Sequence, residues 1–203
     1  KLDFYPSGQV KIKCKLYNGK LVGAYLRFNE SGDTLFFGNY IDGVENGLFK
    51  EYSVDGSLIQ EYRMLEGKLN GNKIEYLFSD DVPIQKRVIP YSMGKKNGKE
   101  MLLDNLNSNS EPLLFVNYKN GIKHGAFKEL TYDDTLVSGV YNMGVLDGPF
   151  ELKAKRVYYD DSYNEINYWN LERKGEYIGG VRNGLWTFYT TWGAKEWEGN
   201  MLD

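Results

Sequence analysis

The chain is poor in the residues on which most catalytic and metal sites depend. Its 203 residues include one cysteine, Cys14, and one histidine, His124. A single Cys excludes an intramolecular disulfide framework and a Cys-based zinc site, and a single His excludes a multi-histidine metal centre. Alanine occurs only at Ala24, Ala126, Ala154 and Ala194, and because Ala is the best helix former its scarcity argues against a helix-rich protein. The longest apolar run is about five residues, around Leu113-Leu114-Phe115-Val116, far below the ~20 of a membrane-spanning helix. Neither charge sign dominates: 25 Lys and Arg against 28 Asp and Glu leave a net charge of −3. That balance lacks the basic footprint of a nucleic-acid binder, so no nucleic-acid partner is expected.

What the chain has in excess is glycine, 23 residues, and aromatics, 15%, with 17 Tyr, 10 Phe and 4 Trp. Glycine favours turns and aromatics favour strands, so the composition points to many short strands. Self-comparison gives that excess a register. An apolar residue, two others, Gly, three others and a second Gly recur seven times, usually with aromatics two and five residues after the second Gly. The pairs are Gly19/Gly23, Gly43/Gly47, Gly67/Gly71, Gly94/Gly98, Gly121/Gly125, Gly144/Gly148 and Gly180/Gly184. The basic spacing is about 24 residues, and periods of this size mark repeat architectures.

Asn18-Gly19, Asp42-Gly43 and similar dipeptides are turn formers. A strand follows each pair, such as Leu48–Tyr52. Next comes a second turn at Gly8, Gly32, Gly56, Gly193, Asp80-Asp81 or Asp133-Asp134. A return strand then leads to the next apolar anchor: Tyr40, Met64, Tyr91, Tyr118, Tyr141 or Tyr177. Each unit is one β-hairpin, marginal alone and stable only when packed on its neighbours. The expected fold is all-β: an elongated single-layer antiparallel sheet of tandem hairpins, one array over 1–203 with about seven units. Tyr25, Phe49, Phe127, Phe150 and Trp186, each two residues after a second Gly, are expected to stack along one face. Residues five after it differ from these by an odd number. Either a bulge brings the two sets together or both faces carry aromatics. Lys73 and Glu100 replace the first aromatic in the third and fourth units, so the stack is expected to break there.

The Tyr-x-x-Gly-x-x-x-Gly-x-aromatic-x-x-aromatic core at Tyr40–Tyr52 and Tyr177–Tyr189 resembles the MORN repeat family, and more closely its bacterial variant form. The resemblance covers nearly the whole chain and implies stacked β-hairpins that act in scaffolding, membrane proximity or partner binding. Bacterial variant-repeat proteins often carry an antitoxin-like label, which implies a protein partner. The net acidic charge speaks against an anionic membrane surface. Both ends fall inside a repeat, and Lys1 is no initiator Met, so an excerpt from a longer array or a removed leader is expected. A leader implies secretion or the cell envelope, and its lack the cytoplasm.

The largest departure from the repeat is an insert at about 154–175, carrying Tyr158, Tyr159, Tyr163, Tyr168 and Trp169 together with Asp160, Asp161 and Glu165. It reads as an elongated hairpin with Asp160-Asp161 at its tip or as a recognition surface, since Tyr and Trp are favoured contact residues. A calcium site there lacks the required ligand spacing. The segment Asp104–Pro112 reads as a flexible turn. His124 takes the slot held elsewhere by Asn46, Asn70, Asn97, Asp147 and Asn183, which makes it a turn residue tolerant of the left-handed region. Cys14 reads as a strand filler between lysines. Acidic pairs invite a glycosidase reading, but a one-layer sheet offers no pocket to perturb them. The expectation is therefore a non-catalytic scaffold with no cofactor or metal. It binds a protein or itself through the aromatic face or the sheet ends, with membrane or glycan binding by stacked aromatics as the alternative.

Overall fold

The computed structural model describes residues 1–104, 111–160 and 162–201. It divides into two compact units, Lys1–Leu113 and Leu114–Asp203, where the sequence reads as one array. Among the described residues every regular element is a β-strand, and each unit is a single-layer antiparallel sheet of consecutive hairpins. The first unit contains β1 (Leu2–Phe4), β2 (Val10–Tyr17), β3 (Lys20–Phe28), β4 (Thr34–Ile41), β5 (Val44–Glu45) and β6 (Gly47–Tyr52). It continues with β7 (Leu58–Leu65), β8 (Lys68–Leu69), β9 (Gly71–Ser79), β10 (Val82–Ser92), β11 (Lys95–Lys96) and β12 (Gly98–Asp104). The second contains β13 (Leu114–Lys119), β14 (Ile122–Leu130), β15 (Thr135–Asn142), β16 (Val145–Tyr159), β17 (Glu165–Ile178), β18 (Val181–Tyr189) and β19 (Lys195–Met201).

The two glycines of each pair do different jobs. The first closes a two-residue turn in which both central residues are left-handed, such as Asn18 (φ 47°) and Gly19 (φ 77°) between Tyr17 and Lys20. That geometry matches the twist of the flanking strands. These turns also join repeat to repeat. The N–H groups of Gly43, Gly67, Gly94, Gly144 and Gly180 donate to the carbonyls of Leu21, Glu45, Leu69, Lys123 and Leu146 at 2.8–2.9 Å. The second glycine sits in a bulge. From Tyr141↔Leu146 to Gly139↔Phe150, β15 advances two residues while β16 advances four, and Gly148 takes φ 125°.

At the opposite end of the hairpins, five-residue turns begin at Tyr5, Asn29, Ser53, Thr131, Asp160 and Thr190. In each, the first N–H donates to the fifth carbonyl and the fourth N–H to the first carbonyl. The fourth residue is left-handed: Gly8, Gly32, Gly56, Asp134, Tyr163 and Gly193.

The aromatics two residues after the second glycine form the core of each unit. Tyr25 meets Phe36 and Tyr40 edge-on, and Phe49 meets both of those rings and stacks on Tyr62 at 5.4 Å. In the second unit Phe127 lies against Tyr141, while Phe150, Tyr177, Trp186, Phe188 and Trp197 form a continuous chain of ring contacts. Phe49 and Trp186 are 0% exposed. Phe49, Phe127 and Trp186 each lie over a glycine: a Cβ on Gly38 would stand 2.4 Å from the Phe49 ring, one on Gly139 3.1 Å from Phe127, and one on Gly175 2.3 Å from Trp186.

Where the ring is missing, the neighbouring strand supplies the bulk instead. Pairing of Glu61 with Ile74 sets Tyr62 beside Lys73, and pairing of Val88 with Met101 sets Ile89 beside Glu100. Ile89 is buried on that face, while Val88 and Leu103 are buried on the opposite one. Residues five after the second glycine occupy the opposite face. Tyr76 lies there beside the Lys50–Glu61 ion pair, and burial, then the Glu61 carboxylate, raises its phenol above the ordinary range. The bulges near these residues fall in the return strands, between Thr34 and Phe36 for example, and do not bring the two sets together.

Candidate functional site

The insert is a hairpin that outgrows its neighbours. β16 keeps its partner β15 as far as the pair Thr135↔Ala154, and β18 pairs with β17 only from Phe188↔Arg173. Beyond those points Lys155–Tyr159 pair with Glu165–Trp169, and among the described residues no strand adjoins either outer edge. The result is a two-stranded ribbon about five residues, or ~17 Å, long. Its tip is the standard five-residue turn. Asp160 Oδ1 accepts from Ser162 N–H at 2.9 Å and Asn164 N–H at 2.8 Å, and its Oδ2 accepts from Asn164 Nδ2 at 3.0 Å. Those hydrogen bonds, led by the one from the Asn164 side chain, hold the Asp160 carboxyl below the ordinary range. Asp161 lies outside the described residues.

Strand alternation separates the five candidate aromatics. Arg156, Tyr158, Ile166 and Tyr168 share one face of the ribbon, where the Tyr158 and Tyr168 rings meet edge-on at 5.8 Å. Lys155, Val157, Tyr159, Glu165, Asn167 and Trp169 share the other. Tyr163 caps the tip at φ 62°, in the position glycine fills in four of the other turns, and is 88% exposed. All five are exposed. The repeat-face aromatics behave in the opposite way. Phe49, Phe127, Phe150 and Trp186 are buried and Tyr25 is half-buried, so this set belongs to the core of the sheet. Phe49, Phe127 and Trp186 lie over glycines of the adjoining strands, which lets the sheet bury them.

Two further aromatics flank the ribbon. Tyr132 and Trp192 stand fully exposed on the turns to either side, so all three described distal turns of this unit carry an aromatic. The first unit has Pro6, Glu30 and Val54 in its five-residue turns. Regular spacing drew attention to the insert and away from these two. The turn itself gives little signal, since the first unit carries Tyr5, Pro6 and Val54 in the same turns.

Between the Thr131–Thr135 turn and the base of β16 lies an open cleft of about 500 Å³, lined by Asp133, Asp134, Lys155, Arg156, Glu165 and Glu172 among others. Arg156 forms an ion pair with Glu172, while its buried Nε has no hydrogen-bond partner. Thr131 and Thr135 hydroxyls donate to Asp133 and hold its carboxyl below the ordinary range. On the other flank Asn170 Nδ2 donates to the Thr191 carbonyl at 2.8 Å, closing that shoulder.

The remaining candidates have structural settings. His124 is not left-handed, contrary to the expectation from its slot. Its Nδ1 accepts from Met143 N–H of the next turn at 3.3 Å, as Asn70 Oδ1 accepts from Met93 N–H and Asp147 Oδ1 from Gly179 N–H. The slot therefore selects an acceptor side chain, and the left-handed residue is the one before the first glycine. Cys14 is half-buried in β2. Most of the Asp104–Pro112 segment, residues 105–110, lies outside the described residues. Among the described residues no group of three or more His, Cys, Asp or Glu is placed to hold a metal. Comparison with models of known protein families finds no match, and neither does comparison with curated proteins.

Proposed function

We propose that the chain is a non-catalytic repeat scaffold of MORN-like hairpins that binds a protein partner through the β16–β17 ribbon. The observation that carries this reading is the exposure of Tyr158, Tyr159, Tyr163, Tyr168 and Trp169 on an element that no neighbouring strand covers. Exposed clusters of large aromatics are costly in water and are typical of interface anchors. A ribbon this short adds little to the stability of the sheet, so its aromatics have no evident work in folding. The buried ladder presents the ribbon, and the regular hairpins fix its base.

The test is a capture experiment from the source organism with the full chain and with a variant in which Lys155–Trp169 is shortened to the regular repeat length. A discrete partner retained by the first and lost from the second, at unchanged melting temperature, is the expected outcome. Equal capture by both would sink the ribbon as the contact, and a partner-free dimer that the shortening abolishes would assign it to self-association.

A further inference from the structure

Resting on that reading, we infer that the partner segment is an extended, Lys/Arg-bearing stretch of polypeptide that adds as a strand to the open β16 edge. Three features of the edge meet there. The first is main-chain hydrogen-bonding capacity. Lys155–Tyr159 is a strand of ordinary length whose second edge has no partner strand among the described residues, a ready template for an added strand. Strand addition draws affinity from main-chain bonds and specificity from alternate side chains.

The second is charge. Asp133, Asp134, Asp160 and Glu165 surround this edge and its cleft, against Lys155 and Arg156. Arg156 is already engaged by Glu172, which leaves Lys155 as the remaining cation of the group. Asp133 and Asp160 are held in the charged form by their turn hydrogen bonds, so the acidity is fixed and not diffuse. The third is aromatic surface. Tyr132 on the shoulder, Tyr158 and Tyr159 on the two faces of the strand and Tyr163 at the tip are all exposed. Lys and Arg side chains are attracted to aromatic faces as well as to carboxylates.

The opposite edge, on β17, is less open. Its shoulder is occupied by the Asn170–Thr191 hydrogen bond and by Gly193, where a Cβ would stand 3.3 Å from Asn170 Oδ1. An incoming strand there would displace existing contacts, whereas the β16 cleft is empty of protein atoms over about 500 Å³.

The test uses the full chain and a fluorescein-labelled peptide of alternating Arg and Thr, read by anisotropy. Its two controls are the same peptide with Glu in place of Arg, and the Arg–Thr peptide N-methylated at alternate residues. The Arg–Thr peptide is expected to bind at least about tenfold tighter than either control. It should also weaken at least about tenfold with the D133K/D134K variant, and it should protect the amides of Lys155–Tyr159 from hydrogen exchange. Equal binding of the Arg and Glu peptides, no loss on N-methylation, no binding at all, or protection confined to other strands would each overturn the inference. If that happened while the capture experiment still showed a ribbon-dependent partner, the partner-binding reading would stand and only the chemistry assigned to the partner would fall.

Discussion

The glycines of this chain answer to two demands, left-handed backbone and room for a neighbouring ring, and substitution costs stability by a different route in each. Gly8 has φ +87° and open space where a Cβ would go, so an alanine there meets backbone strain and nothing else. Gly38 and Gly175 are extended, and what forbids a Cβ is the ring of Phe49 or Trp186, each fully buried and unable to retreat. Gly38→Ala is therefore expected to destabilise by about 1–3 kcal/mol, as overpacked cores do, in urea unfolding of the full chain. No loss there would contradict the ring-on-glycine account of the core.

The turn glycines were legible from the Gly-x-x-x-Gly spacing. Gly38, Gly139, Gly175 and Gly199 were not, because making room for a ring, on the adjoining strand for the first three and that of Trp197 on its own strand for Gly199, leaves no mark on the turn pattern. The usable signal was their shared place, two residues before Tyr40, Tyr141, Tyr177 and Met201. Tyr163 shows the converse: an aromatic held left-handed on the surface, where strain of ~1 kcal/mol is retained without a packing reason. Tyr163→Gly should raise stability by about 0.5–1 kcal/mol in thermal or urea melts while weakening capture of the partner. Lower stability, or stronger capture, would remove the case for a functional tip.

At the scale of the hairpin, two turns and a bulge define the repeat, and the turns are tied to one another by acceptor side chains. Asp147 is the charged instance: it accepts from Asn142 Nδ2 at 2.9 Å and from Gly179 N–H at 3.3 Å. Those bonds, the Asn142 one foremost, lower its pKa in the folded chain. A depressed carboxylate pKa adds stability that is complete above the unfolded value of about 3.9 and is lost as pH falls through the folded value. The Asp147 carboxyl should therefore titrate below the ordinary range by carbon-detected NMR, and Asp147→Asn should flatten the acid limb of stability against pH. An ordinary midpoint would show that the inter-turn bond does not form in solution.

The hairpin period, both turn regions and the anchor tyrosines could be read from the sequence, since turn chemistry is local. The face of each aromatic could not. It depends on which strand carries the bulge, and Thr34–Phe36 gives no sign of that in its residues. The insert was legible as an irregularity in spacing, but the division of its aromatics between two faces and a tip follows from the pairing register.

At the scale of the whole molecule the chain separates what folds from what is displayed. In each compact unit the stabilising rings are covered by neighbouring strands. The exposed aromatics of the second unit, Trp197 on β19 apart, gather on one protruding hairpin and the turns beside it. Composition could not make this distinction: Trp186 and Trp192 are six residues apart in sequence, yet one is wholly buried and the other 89% exposed. Repeat proteins hold together through nearest-neighbour contacts, so an element that outgrows both neighbours is free of the fold's demands and available for recognition.

The most direct measurement of that claim is site-specific photo-cross-linking in the source organism, with a photoreactive phenylalanine analogue placed at Tyr163 and, separately, at Ile41, an exposed turn-edge position remote from the ribbon in sequence. The account predicts a discrete cross-linked protein from position 163 and none from position 41. Cross-links of equal yield from both positions, or from 41 alone, would contradict it.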